Sequence, residues 1–124
     1  MILLVVDDPL QAHVALSLLG GQFGELHRAA DAADALCLLE QPEFANKLSL
    51  VICGLYGKSF GAPEFVAELH RRKPDLRVLV LGKTGESAND YSGEHVTFLP
   101  YPLDPLQLVS LTRKMLAAEK RDVA

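Results

Sequence analysis

The stretch ILLVVDDPL, residues 2–10, decides the architecture. Ile2 to Val6 is an unbroken apolar run that includes the β-branched Ile2, Val5 and Val6. Such a run, without polar alternation, reads as a strand covered on both faces, the condition of a strand inside a parallel sheet. It stops at Asp7 and Asp8. Pro9 then suits the first turn of a helix, and Leu10, Val14 and Leu18 recur at helical spacing. Gly20-Gly21 ends that helix. Adjacent carboxylates repel each other, and the crowding is tolerated where water or a hard cation such as Mg²⁺ relieves it. Taken alone, the pair is a solvated turn in which Asp8 helps the helix start.

The same alternation continues outward from this first step. Glu25 to Arg28 is a weak strand, flagged only by what surrounds it. Asp31 caps a helix with Ala35, Leu36 and Leu39 on its apolar stripe. QPEFANK, residues 41–47, reads as a loop. Leu48 to Cys53 is another buried strand, and Gly54 to Gly61 a Gly-rich loop. Pro63 opens a helix whose Phe65, Val66 and Leu69 face inward. HRRK, residues 70–73, puts cations at the end of that helix, where they suit its dipole. KPD, residues 73–75, breaks it. Val78 to Leu81 is a fourth strand. Gly82 to Glu94 is rich in Gly, Ser, Asn and Asp, so a helix there is short or irregular. Val96 to Leu99 is a fifth strand. Asp104 caps a last helix, with Pro105 at its first position and Leu108, Leu111 and Met115 on one face.

Buried strands alternating with helices give an α/β fold, a doubly wound five-stranded parallel sheet with helices on both faces and right-handed crossovers. One domain spans residues 1–118, followed by a polar tail or linker over 119–124. In such sheets the functional crevice lies at the carboxyl ends of the strands. Those ends are Asp7-Asp8, Gly54, Gly82 and Tyr101.

Composition excludes several classes. The chain has 124 residues, enough for one domain with a single core. Apolar residues make up 49% of it, yet no run approaches the roughly 20 residues that span a bilayer. The start lacks a basic leader, so a signal peptide is not expected. The net charge is −4 and basic residues are scattered, without a nucleic-acid footprint. Cys37 and Cys53 lie in different elements and the histidines are dispersed, which speaks against a disulfide framework or zinc cluster. A cytoplasmic location fits best, with Cys53 as strand packing.

ILLVVDDPL, the apolar strand closing at Cys53-Gly54, VLVLG at 78–82 and FLPYPLDP at 98–105 together resemble the receiver domain of bacterial response regulators. The resemblance covers essentially the whole chain, and VVDD and the FLP-x-P ending are its most specific pieces. It implies a domain in which a histidine kinase donates a phosphoryl group to an aspartate ending the third strand. The acid pair and that aspartate hold Mg²⁺. A Ser or Thr after the fourth strand and a Lys after the fifth bind the phosphoryl oxygens. Here Asp7 and Asp8 match the acid pair. The acceptor aspartate falls on Gly54, the hydroxyl residue on Gly82 and the lysine on Tyr101. Phe98 matches the family's aromatic switch position.

Each departure has a consequence. Gly54 offers no nucleophile. Cys53, one residue earlier, points to the opposite face of the strand. Tyr101 supplies no cation for the charge that develops in phosphoryl transfer. Gly82 supplies no hydroxyl. Lys83 reads as a solvated loop lysine. GKTG at 82–85 resembles a phosphate loop, but the position where a Walker motif needs its first glycine is Arg77. Gly54 to Gly61 lacks the family's Met-Pro-Gly pattern, and the segment from Gly82 to Tyr101 is shorter than the family's. That shrinks the fourth helix, part of the family's partner surface.

The expectation is a degenerate receiver, or pseudo-receiver, in a two-component or derived pathway. It is not an enzyme and acts without phosphorylation, by binding a signalling protein or neighbouring domain or by forming a homodimer. No cofactor is expected, and Mg²⁺ at Asp7 and Asp8 is weak at best. Neither nucleic acid nor membrane is expected as a partner. One alternative is a small-ligand or metal sensor using the pocket emptied at Gly54 and Gly82. The other is a phosphoacceptor with a displaced nucleophile.

Overall fold

The computed structural model describes residues 1–56, 61–82, 95–100 and 104–123. Five strands, β1 (Ile2–Val6), β2 (Leu26–Ala29), β3 (Leu50–Gly54), β4 (Arg77–Leu81) and β5 (Val96–Leu99), pair in parallel in the order β2-β1-β3-β4-β5. The helices are α1 (Pro9–Leu19), α2 (Ala32–Leu39), α3 (Pro42–Lys47), α4 (Ala62–Arg72) and α5 (Pro105–Val123).

The sheet has a core on each face, which is why β1 and β3 are apolar throughout and β4 is apolar after Arg77. Leu3, Val5, Val51, Cys53, Val78 and Val80 point to one side and meet Ala35 of α2 and Phe65, Val66 and Leu69 of α4. Ile2, Leu4, Val6, Ile52, Leu79 and Leu81 point to the other and meet Ala12, Ala15 and Leu19 of α1 and Leu108 and Met115 of α5. Successive side chains of a strand point to opposite faces, so this division follows the period of two. The edge strands are less covered: β5 buries only Leu99 fully, and β2 only Ala29, with His27 and Arg28 exposed. The pattern of β2 is therefore faint in the sequence, and it starts at Leu26, one residue later than expected.

Three aspartates start helices as their positions suggest. Asp8, Asp31 and Asp104 each accept a backbone N–H from the first turn of α1, α2 and α5 respectively. At the other end of α4, Arg71 and Arg72 both donate to Glu68. Their hydrogen bonds, Arg71's first, hold the Glu68 carboxyl down at about 2.

One expectation is corrected. Residues 41–47 are not a loop, because α3 forms there with Pro42 in its first turn, Glu43 near its N-terminus and Lys47 near its C-terminus. Those placements suit a helix start and its dipole. No residue of α3 is buried, so it lacks the apolar stripe that would announce it. Its Phe44 meets His27 edge-on, with ring centres 5.4 Å apart. At the polar end of the chain α5 continues to Val123. No glycine or proline interrupts that run. The expected short helix between β4 and β5 lies outside the described residues. Among those residues no helix is long and apolar enough to cross a membrane.

Candidate functional site at the strand ends

The strand order reverses direction at β1 and β3, and a crevice opens at such a switch point. Val6 is the register partner of Gly54, so the acid pair and the glycine emerge side by side. The Asp7 N–H donates to the Gly54 carbonyl at 3.3 Å. From there the two aspartates diverge. Asp7 Oδ1 accepts the Tyr56 N–H at 2.9 Å, tying the end of β1 to the loop that leaves β3. Asp8 Oδ1 accepts the Leu10 N–H at 3.0 Å and caps α1. Both are half-buried. Beside them Arg28 of β2 donates through Nη2 to the Val6 carbonyl at 3.1 Å.

Neither glycine leaves open space. A Cβ on Gly54 would lie 3.1 Å from the Tyr56 hydroxyl, 3.3 Å from Tyr56 Cζ and 3.4 Å from Leu81 Cβ. The phenol of Tyr56 therefore folds back over the position where a side chain at residue 54 would begin. A Cβ on Gly82 would lie 2.5 Å from Phe98 Cζ and 3.3 Å from the Leu99 carbonyl oxygen. The Phe98 ring thus reaches from β5 into the space beside Gly82. The Gly82 N–H donates to Leu99 at 2.8 Å, which holds the two segments together. Aromatic rings therefore stand close to the first side-chain atom that either position would carry.

Cys53 is fully buried in the core on the α2 and α4 side, as its place one residue before Gly54 requires. Asp7, Asp8, Gly54, Gly82 and Phe98 gather at the carboxyl ends of their strands or beside them. Tyr101 and Lys83 lie outside the described residues. Sequence reading missed Tyr56 and Arg28. Tyr56 stands two residues after Gly54, a spacing that in extended chain puts both on one side. That signal could have found it. Arg28 sits on the weakly patterned edge strand, and nothing in its spacing marks it.

Asp7 and Asp8 do not by themselves make a Mg²⁺ site. Mg²⁺ demands near-octahedral oxygen ligands. The neighbouring Gly54 offers no side-chain oxygen, and one oxygen of each aspartate already accepts a backbone N–H. Among the described residues no group of three or more His, Cys, Asp or Glu could hold a metal ion.

A groove of about 540 Å³ runs between β5 and α5. Phe98, Leu99, Pro100, Leu106, Leu111 and Lys114 line it. Leu106 is 83% exposed at its edge. Phe98 therefore borders both Gly82 and this groove.

No family model matches the chain, and no curated protein matches it either. Solved structures do. The signal receiver domain of an HD domain-containing protein from Pseudomonas fluorescens Pf-5 superposes with a TM-score of 0.81 at 26% identity, covering 97% of this chain and 96% of that one. The receiver domain of the hybrid histidine kinase CckA gives a TM-score of 0.75 at 26% identity, over 93% and 97% of the two chains. The receiver domain of NtrX from Brucella abortus gives 0.77 at 19% identity, over 94% and 98%.

Proposed function

We propose that this chain, which has the receiver-domain fold of two-component response regulators, signals by binding a protein partner without a phosphoryl switch. The observation that carries the reading is Gly54 at the end of β3, with the Tyr56 phenol over the acceptor position. In-line phosphoryl transfer needs a nucleophile at that point, and the pocket offers a glycine. Gly82 supports the same reading, since a phenylalanine ring stands where a phosphoryl-sensing hydroxyl would begin. On this reading the protein is not an enzyme and works in the cytoplasm. It needs no cofactor. Its partner is a signalling protein, a neighbouring domain or a second copy. The β5–α5 groove, with the exposed Leu106 beside Lys114, is the surface best suited to such a contact.

The test is direct. The chain is incubated with acetyl phosphate and Mg²⁺, and its intact mass is measured at short and long times. The expected outcome is no phosphoryl adduct. A stoichiometric adduct overturns the reading and points to a displaced acceptor.

A further inference from the structure

We infer that Tyr56 is a built-in stopper on the strand-end pocket, so that restoring a carboxylate at position 54 does not by itself give the chain a Mg²⁺ site. The inference rests on the reading above that position 54 is the vacated acceptor position. It goes beyond that reading by naming the residue that closes the pocket.

Three observations carry it. The phenol is close enough to Gly54 to crowd a side chain larger than a methyl, with its hydroxyl at 3.1 Å and Cζ at 3.3 Å from a Cβ. A carboxyl group reaches further out than a Cβ and must displace the ring. Leu81 Cβ lies in ordinary contact with the same position, at 3.4 Å. Finally, the backbone that bears the ring is tethered. The Tyr56 N–H donates to Asp7 Oδ1 at 2.9 Å, and the preceding Leu55 is buried. The stopper is thus pinned by one of the carboxylates that a cation would need. A carboxylate added at position 54 meets a phenol already seated and an Asp7 oxygen already engaged. The missing acceptor and the aromatic residue two positions later form one unit.

The inference is tested with Mg²⁺ alone. Amide shifts at Asp7 and Asp8 are followed by NMR through a MgCl₂ titration in Gly54→Asp and in Gly54→Asp/Tyr56→Ala. The double variant is expected to bind at least about tenfold more tightly than the single one. Equal affinity in both, or no response in the double variant, overturns the inference. A second measurement uses milder changes. Gly54→Ala is expected to leave the thermal midpoint nearly unchanged in the wild-type chain and to raise it by a few degrees once Tyr56 is alanine. An equal effect in both backgrounds overturns the stopper. The phosphorylation assay is run on the wild-type chain, so its failure is separate from either result.

Discussion

Gly54 and Gly82 sit at the ends of neighbouring strands, and each has an aromatic ring where its side chain would be, but the two are filled in different ways. At Gly54 the ring comes from Tyr56 and stops at contact distance, 3.1 Å from a Cβ. At Gly82 the ring comes from Phe98 on the adjoining strand and overlaps the position outright, at 2.5 Å. Real Cβ atoms essentially never approach that closely. The first is a close fit that a small side chain can share. The second is an exclusion, in which Phe98 keeps its place only while residue 82 has no side chain. The absence of a side chain therefore has different structural weight at the two positions.

The largest effect is expected at Gly82. In Gly82→Ala the Phe98 ring must leave, or the backbone at Leu99 must shift. Forcing extra atoms into a packed site costs about 1–3 kcal/mol, and the strand-like preference for alanine over glycine returns less than that. Urea denaturation should show the loss. In a Phe98→Ala background the same change should cost at least about 1 kcal/mol less, because the two residues compete for one space. Independent, additive costs would break the comparison by removing the exclusion. The Phe98 ring also borders the β5–α5 groove, which Leu106 and Leu111 line with it.

A smaller effect is expected at the tether. Asp7→Ala removes the acceptor for the Tyr56 N–H and should cost about 0.5–1.5 kcal/mol, the usual net value of such a bond where water can partly replace it. Asp7→Asn keeps an acceptor oxygen and should recover most of the loss. Amide hydrogen exchange at Tyr56 separates the two outcomes, with faster exchange in alanine than in asparagine. Equal exchange would mean that the bond does not hold the loop.

These contacts explain which parts of the molecule could be read from sequence. Strand runs such as Ile2 to Val6 and Val78 to Leu81 are legible because burial on both faces leaves no polar residue in them. Asp8, Asp31 and Asp104 are legible because a cap is a local event within three residues of chain. Helix α3 is not legible, since it buries nothing and its helix signals are confined to its ends. The acid pair and Gly54 could be brought together because the sheet's register follows from its topology. The filling of the two glycine positions could not be read. It depends on where the Tyr56 and Phe98 rings point, and at Gly82 on a contact between strands distant in sequence. Glycine in the sequence marks absent side chains, while side-chain direction decides what stands beside them.

The smallest effect is expected at Gly54, and its sign carries the comparison. Replacing a strand glycine by alanine gains about 0.5–1 kcal/mol from reduced freedom of the unfolded chain. Against this stands the adjustment of Tyr56 by a few tenths of an ångström, at the far end of a side chain that can move. The two terms are of similar size, so Gly54→Ala should unfold within about 0.5 kcal/mol of wild type, the range of a surface substitution. Gly82→Ala should fall clearly below both. A Gly54→Ala loss as large as that of Gly82→Ala would mean that the Tyr56 ring is held as rigidly as Phe98, and the two strand ends would then be closed in the same way. A near-neutral result leaves the β3 end as the adaptable half of the pocket. It is then the half where chemistry could be re-engineered, provided Tyr56 is removed with the same stroke.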